Sequence, residues 1–325
     1  MLKVAMLSKW HVHAKDYAQV VQKCPDAEIA AVWDEDAGRG AEWAEELGCP
    51  FYADLDELLA EPSIEAVICD TPTMRHFEVL SKAVKAGKHV FTEKVLAATV
   101  EECEELADLI ERAGVTFTIS YPLRSHPIEL FVKEKLGSGT FGKVNLIRFR
   151  RAHNGLTAGW LPDYWYDEAQ AGGGALMDLG CHAMYLADWF LKKPQHISAF
   201  MASPFGTGVD ESATVTVQDE EGAVFVGETS FVSAFSPDTL EVYGSDATLI
   251  AIGDEVRYAD KDTGPAFITP ALPEAKPLPI ELFLKACAEG TGTPEGFTAR
   301  DGVELTRLIV NAYRSDKEKK TIELA

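Results

Sequence analysis

The chain has 325 residues, about twice the length of a typical single domain, so we expect two domains. Lys and Arg total 30 against 52 Asp and Glu, giving a net charge of −22, which disfavours binding to nucleic acid or to an anionic membrane surface. No apolar run approaches the roughly 20 residues of a membrane span. We expect no signal peptide, and six cysteines without a CxxC pair favour reduced thiols and a cytoplasmic location.

Short apolar strands alternate with helices through the first 121 residues. This alternation predicts a parallel sheet covered on both faces, which is a doubly wound dinucleotide-binding (Rossmann) domain over residues 1–121 and makes the chain an α/β protein. The predicted strands are 4–7, 28–33, 66–69, 89–91 and 115–120, and the predicted helices are 14–24, 39–47, 54–59, 76–86 and 101–113.

The pattern changes after residue 121, where longer strands follow one another through turn residues. We expect an α+β domain with a largely antiparallel open sheet over residues 122–325, serving substrate binding and oligomerisation as a homodimer or homotetramer. Its closing helices can pack back on the first domain. The predicted strands are 143–151, 196–203, 212–218, 223–233, 239–243 and 248–252, and the predicted helices are 127–136, 175–191, 280–289 and 300–315.

The turn after the first strand, Ser8-Lys9-Trp10-His11-Val12-His13, contains no glycine. A glycine-rich turn is the usual way to hold a dinucleotide pyrophosphate at this point. One interpretation is that Ser8, Trp10, His11 and the backbone amides bind the dinucleotide instead, with Lys9 near a phosphate. A second is that His11 and His13 bind a metal, as in amidohydrolase barrels. The other histidines offer few further ligands, so we expect no metal. A third is that both histidines are only polar loop residues.

Asp34 follows the second predicted strand, 26 residues after Ser8. An acidic side chain at this place hydrogen-bonds the hydroxyls of the adenosine ribose and repels a 2′-phosphate. The sequence therefore favours NAD as cofactor over NADP.

Three segments of the chain carry a specific resemblance. They are TPTMRH at 71–76, AGKHVFTEK at 86–94 and GGGALMDLGCH at 172–182. Together, in this order, they resemble the glucose–fructose oxidoreductase, inositol dehydrogenase and rhizopine-catabolism (Gfo/Idh/MocA) family, as a divergent subgroup. The resemblance implies an NAD(P)-dependent dehydrogenase that acts on CH–OH groups of a sugar, cyclitol or related polyol.

The resemblance also implies roles for individual residues. Lys94, Asp178 and His182 would meet at the domain junction, with His182 accepting the proton and Lys94 polarising the alcohol. Asp178 and His182 are spaced i, i+4, which places both on one face of a helix. Asp178 would bind either the substrate or the nicotinamide ribose, and Glu93 would contact the cofactor or orient the lysine. The full set of expected cofactor residues is Ser8, Trp10, His11, Asp34, Thr71, Pro72, His76, Glu93 and Lys94.

The substrate side is less specific. The loop 160–166 carries four aromatic rings, which suit the faces of a sugar or equally an oligomer contact. The expected substrate residues are Tyr121, Arg124, His153, Trp165 and Tyr166. The family usually has Pro after its Glu-Lys pair, whereas this chain has Val95, so we expect the local backbone to differ.

Two other functions remain open from the sequence. One is a glycoside-cleaving enzyme of the same family, which oxidises, eliminates and re-reduces with tightly held NAD. The other is a non-catalytic regulator that senses NAD. The presence of Lys94, Asp178 and His182 together argues against the regulator, since a sensor does not need them.

Overall fold

The computed structural model describes residues 1–324 and divides into two compact units. The first unit comprises residues 1–122 and 277–306, and the second comprises residues 123–276 and the described chain from 307 onward. The two domains expected from the sequence, residues 1–121 and 122–325, stay a prediction.

The chain forms fourteen strands and eleven α-helices within the described residues. The strands are β1 (Leu2–Leu7), β2 (Ala27–Trp33), β3 (Phe51–Tyr52), β4 (Ala66–Cys69), β5 (His89–Thr92), β6 (Phe117–Ile119), β7 (Val144–Ala152), β8 (Pro194–Ala202), β9 (Ser212–Asp219), β10 (Val224–Ser230), β11 (Thr239–Gly244), β12 (Thr248–Ile252), β13 (Glu255–Ala259) and β14 (Ile322–Glu323). The helices are α1 (Ala14–Lys23), α2 (Ala37–Leu47), α3 (Leu55–Ala60), α4 (His76–Lys85), α5 (Val100–Ala113), α6 (Pro127–Gly137), α7 (Gly155–Ala158), α8 (Glu168–Ala171), α9 (Cys181–Phe190), α10 (Pro279–Glu289) and α11 (Ala299–Glu318).

The first unit is built on a six-stranded parallel sheet in the order β3-β2-β1-β4-β5-β6, as the sequence predicts. Continuous apolar runs form the central strands because both faces of the sheet are covered. Helix α10 packs against this core through Ile280, Phe283 and Leu284.

The carboxyl ends of the parallel strands place five polar residues at one edge of the sheet. They come directly after β1, β2, β4, β5 and β6 and are Ser8, Asp34, Asp70, Glu93 and Ser120, all buried. In a doubly wound sheet this edge is where ligands bind. The topology therefore determines where a cofactor site can form in this unit.

The second unit contains an eight-stranded sheet in the order β13-β12-β11-β7-β10-β9-β8-β14. Strands β7 and β10 pair in parallel, and every other neighbouring pair is antiparallel, so the prediction of a largely antiparallel sheet is confirmed. A hairpin turn at residues 220–222 joins β9 to β10, with Gly222 at φ 89°.

One predicted element differs. The helix expected over 175–191 begins instead as a π-helical turn, Leu176–Gly180, and only then continues as α9. The carboxylate of Asp210 accepts hydrogen bonds from the amides of Gly174 at 2.8 Å and Leu176 at 2.7 Å. Asp210 lies 36 residues after Gly174 in the sequence, so the periodicity of the helix could not reveal this contact.

Two further observations bear on the expectations from composition. None of the helices described within residues 1–324 has the length and apolarity needed to cross a bilayer. None of the six cysteines takes part in a disulfide.

The segment that leads into α9 provides a test of packing. A Cβ at Gly174 would lie 1.9 Å from the carbonyl oxygen of Asp210, so Gly174→Ala must displace the backbone. We expect a loss of about 1–3 kcal/mol of folding stability, seen as a melting temperature several degrees lower. Gly137→Ala is the matched control, because a Cβ there meets open space. Equal melting temperatures for the two variants would contradict this account of the segment.

Candidate active site

The first turn adopts the backbone that a glycine would supply. Ser8 has φ 75°, in the left-handed region, and its buried hydroxyl donates to Glu35 and accepts the amide of Trp10. Trp10 and His11 are 1% and 5% exposed. Both side chains therefore pack inside the unit rather than lining an open pocket.

This turn fits a dinucleotide in two respects. Ser8 takes the conformation of the first fingerprint glycine, and α1 begins at Ala14 without a side-chain cap on its first amides. Amides at a helix N-terminus are the groups that hold a pyrophosphate, and here the amide of Ala14 donates to the carbonyl of His11 at 3.1 Å. The ammonium of Lys9, which we expected near a phosphate, lies 2.7 Å from Glu46, and its contact with a phosphate stays a prediction.

The carboxylate of Asp34 accepts more hydrogen bonds than the sequence suggests. Its carboxylate accepts the amides of Lys9 and Asp36, each at 2.8 Å, and both Nε and Nη2 of Arg39, at 2.9 and 2.6 Å. Nη2 of Arg39 also lies 2.5 Å from Glu35. Arg39 was not among the expected site residues, although it stands only five positions after Asp34.

Glu93 is the centre of the buried polar groups in the first unit. Its Oε1 is 2.9 Å from Nδ1 of His13, 3.7 Å from Nδ1 of His11 and hydrogen-bonded to the hydroxyl of Tyr17. Its Oε2 accepts the amide of Lys94 at 3.2 Å and lies 3.8 Å from the Lys94 ammonium. The same hydroxyl of Tyr17 contacts Ser120 at 2.8 Å.

These contacts determine the charge of each group. Burial opposes ionisation of Glu93, but the positive charge of Lys94 and the hydrogen bond with His13 hold its pKa well below the usual range. Burial lowers the pKa of His11 well below its usual value, so its ring is neutral. Burial and the charge of Glu93 raise the pKa of Tyr17 well above its usual value, which keeps its hydroxyl a donor.

Asp70 contributes a second buried carboxyl. Burial, and then the negative charge of Glu93, raise its pKa well above the usual range. Among the described residues, its two carboxyl oxygens have no hydrogen-bond partner. Its backbone oxygen accepts the amide of His11 at 3.1 Å, so Asp70 lies directly against the first turn.

His76 connects two backbone segments. Its ring nitrogens lie 3.1 Å from the carbonyl of Thr71 and 2.7 Å from that of Val95, so it fixes the Thr71–Pro72 turn to the chain after Lys94. These contacts indicate a positioning role. We expected the backbone at Val95 to differ from the family pattern, yet the Lys94–Val95 peptide bond is cis, the isomer that is far less costly before a proline than before other residues.

In the second unit, His182 is buried and its Nδ1 lies 2.9 Å from the hydroxyl of Tyr185. That hydroxyl also accepts the amide of Leu123 at 3.2 Å. Burial raises the pKa of Tyr185 well above its usual value, so it remains a phenol. Asp178 lies in the π-helical turn just before α9, which places it at a helix irregularity rather than on one continuous face with His182.

The expected substrate residues differ in their surroundings. His153 stacks on Phe231. Burial lowers the pKa of His153, and the negative charge of Asp178 opposes that shift. Arg124 is buried, 3.6 Å from Asp188 and 5.7 Å from the ring of Trp189.

Tyr121 is fully buried and its hydroxyl donates to the carbonyl of Asp301 at 3.2 Å. Trp165 is buried, and Tyr166 is partly exposed. For Tyr121, Arg124 and Trp165 this burial points to packing, and direct contact with a substrate stays a prediction.

The structure thus brings together most of the predicted cofactor residues within the first unit, and Asp178, His153 and His182 all belong to the second. Sequence reasoning missed Tyr17, Arg39 and Tyr185. Each belongs to a helix that carries a predicted residue or follows one closely, and Tyr17 stands four positions after His13, so helical spacing was the available signal.

Comparison with known proteins identifies the family. A family model described as "Oxidoreductase family, NAD-binding Rossmann fold" matches residues 11–121, and one described as "GFO/IDH/MocA C-terminal domain" matches residues 130–250. The chain is 26% identical to 1,5-anhydro-D-fructose reductase of Ensifer adhaerens, over 89% of each chain. It is 28% identical to D-xylose 1-dehydrogenase (NADP(+)) 2 of Haloferax volcanii, over 91% of this chain and 92% of that one.

A solved structure shares the whole fold. Levoglucosan dehydrogenase, in complex with NADH and levoglucosan, superposes with a TM-score of 0.86 over 99% of both chains at 21% identity. The family models cover both halves of the sequence in the order that the motifs predicted. The chain therefore belongs to the GFO/IDH/MocA family of oxidoreductases and carries its NAD-binding Rossmann domain.

Proposed function

We propose that this protein is an NAD-dependent dehydrogenase that oxidises a secondary alcohol of a sugar, cyclitol or related polyol. The observation that carries the proposal is the Lys94–Glu93 pair. Lys94 has a side chain only 2% exposed, at the ligand-binding edge of the first sheet, held by a carboxylate that is itself 1% exposed. Lysine is almost never fully buried without a partner, and a buried cation at such an edge indicates chemistry.

The substrate class is supported by the relatives. Two of them are named for anhydrofructose and xylose, and the solved neighbour holds levoglucosan, so all three names refer to carbohydrates. The aromatic loop of the second unit agrees with this class, since Trp160 is 53% exposed and packs its ring against His153 at 4.6 Å. Exposed aromatic faces suit the C–H faces of a sugar ring.

The proposed chemistry divides between NAD and the protein. NAD, when bound, supplies the hydride acceptor. His182 accepts the hydroxyl proton on Nε2, because a proton on Nδ1 can be donated to the oxygen of Tyr185. Tyr185 keeps its own proton and fixes the ring, which is a positioning role.

Lys94 supplies the positive charge that stabilises the developing alkoxide. The Oε2 atom of Glu93 attracts the Lys94 ammonium and so limits the positions that the ammonium can take. The charge of Asp178 acts on His153, and we propose that these two residues hydrogen-bond other hydroxyls of the substrate or the nicotinamide ribose.

The proposal is tested by NADH formation against a panel of sugars, anhydrosugars and cyclitols. We expect at least one of them to be oxidised with NAD. On that substrate, His182→Ala should lower kcat by roughly two to four orders of magnitude, the usual effect of losing a general base, while the Kd for NAD stays within a few-fold. His196→Ala, an exposed histidine of β8, is the control.

Two results would contradict the assignment. Retention of near-normal kcat in His182→Ala on a true substrate would remove His182 from the mechanism. NAD binding without oxidation of any carbohydrate on the panel would favour the NAD-sensing regulator.

The cofactor preference depends on the Asp34–Arg39 pair. In the wild type the carboxylate both repels a 2′-phosphate and occupies the guanidinium, so NAD should bind more tightly than NADP. Asp34→Ser removes the repulsion and frees Arg39 for the phosphate, and we expect the preference to narrow by roughly tenfold. Calorimetric Kd values for both cofactors measure this change.

The matched control is the double change of Asp34→Ser with Arg39→Ala. It removes the repulsion without leaving a guanidinium, so the gain in NADP affinity should be smaller than in Asp34→Ser alone. An equal gain in both variants would show that Arg39 does not read the 2′-phosphate.

A further inference from the structure

Three metal-ligand side chains converge in the first unit where the dehydrogenase chemistry needs no metal. They are His11 and His13 from the first turn and Glu93 from the end of β5, and one ligand atom from each lies within 4.8 Å of the others. We propose that these residues form a binding site for one divalent transition metal of the zinc type.

The distances agree with a tetrahedral site. Ligand bonds of about 2.0–2.2 Å to zinc place neighbouring ligand atoms roughly 3.3–3.5 Å apart. Here Oε1 of Glu93 lies 2.9 Å from Nδ1 of His13 and 3.7 Å from Nδ1 of His11, on either side of that value. The two imidazole centroids are 4.6 Å apart. All three ligand atoms lie within 4.8 Å of one another, so side-chain adjustment without a change of fold would bring them to bonding distance.

The donor set also matches the metal. Two imidazoles and one carboxylate are a recurrent zinc ligand set that leaves a fourth position open. Nδ1 of His11 accepts the backbone amide of His13 at 3.2 Å, so this nitrogen already carries a lone pair rather than a proton. A metal would replace that long hydrogen bond with a coordinate bond.

Glu93 divides its two oxygens between two functions. Oε1 takes the histidines and Tyr17, whereas Oε2 takes the amide and ammonium of Lys94. The metal would therefore bind Oε1 of Glu93, and the catalytic lysine would contact Oε2. Tyr17, bonded in turn to Ser120, is placed to orient the ligating oxygen, as outer-shell partners of metal ligands commonly do.

Asp70 is a second buried acidic group next to the first turn. It is fully buried against the first turn, and both its carboxyl oxygens lack a hydrogen-bond partner within the part of the chain that the structure describes. A buried polar group in this condition commonly marks an ion or a water. We assign it as a neighbouring acidic group and not as a fourth ligand.

An ion can reach the site from solvent. The side chain of His13 is 40% exposed. It lines a cavity of about 240 Å³ in the first unit, together with Tyr17, Ser120, Pro279 and Ile280. The site is therefore open on the side of its most exposed ligand.

This inference revises the expectation of no metal. That expectation counted histidines as further ligands, whereas the third ligand is Glu93, which the fold brings from 80 residues away. The site lies on a doubly wound sheet, so it does not restore the hydrolase-barrel interpretation. It also goes beyond the proposed dehydrogenase, and its test requires no substrate.

The experiment uses the full-length protein after treatment with chelator and dialysis. Titration with Zn²⁺ by calorimetry, with metal content by mass spectrometry, should give one zinc per chain. Mg²⁺ should not bind at the same concentrations, because it prefers oxygen ligands. Co²⁺ in place of zinc should give d–d absorption bands without a thiolate charge-transfer band, which separates this site from the six cysteines.

The variants are His13→Ala and Glu93→Gln. Each should weaken zinc binding by roughly a hundredfold or more, beyond the effect of losing an outer-shell partner. His126→Ala is the matched control, because Nδ1 of His126 lies 2.7 Å from Glu129 in a pair outside the three-ligand group. It should leave the affinity unchanged. Since Glu93→Gln can disturb folding, the half-exposed His13→Ala variant carries the test.

The proposal is overturned if wild-type protein binds no zinc, if His13→Ala binds it as tightly as wild type, or if the cobalt spectrum shows thiolate ligation. NAD binding is measured separately on the same samples. If the protein binds no zinc, the dehydrogenase proposal still stands. If the protein binds no NAD, the result of the zinc titration is still valid.

Discussion

A buried negative charge, the carboxylate of Glu93, organises the first unit. Moving an ionised carboxylate out of water costs several kcal/mol unless donors and cations replace the lost hydration. Here Lys94, His13 and Tyr17 supply them. Each of these groups must then stay in place, so the first turn is fixed to Glu93 through His13.

The parallel sheet makes this arrangement possible. Residues far apart in sequence follow successive strands and arrive at one edge, so β1 supplies the turn, β4 supplies Asp70 and β5 supplies Glu93. The cofactor site and the proposed metal site are therefore products of one topology. Lys94 follows Glu93 directly, and its position is set by the same carboxylate.

Much of the fold could be predicted because the central strands are continuous apolar runs. The predicted bounds of β4 and β12 match the structure, and the termini of α2 and α5 at Gly48 and Gly114 follow from the left-handed residues that end them. Strands β3 and β14 are two residues long, too short to give a periodic signal, and β13 was also missed.

The site was predictable only where a local motif named the residue. Lys94 and His182 came from resemblance, and Asp34 from its place after a strand. The pairings were not predictable, because Arg39 on Asp34 and His13 on Glu93 depend on side chains meeting across the fold. The π-helical start before α9 likewise depends on Asp210, a distant partner.

The charge of Glu93 is the central claim, and difference infrared spectroscopy between wild type and Glu93→Gln measures it directly. Because the pKa of Glu93 is held well below its usual range, the variant should lose a carboxylate stretch at neutral pH. If the variant instead lost the carbonyl band of a protonated acid, Glu93 would be neutral and could not hold Lys94 by charge.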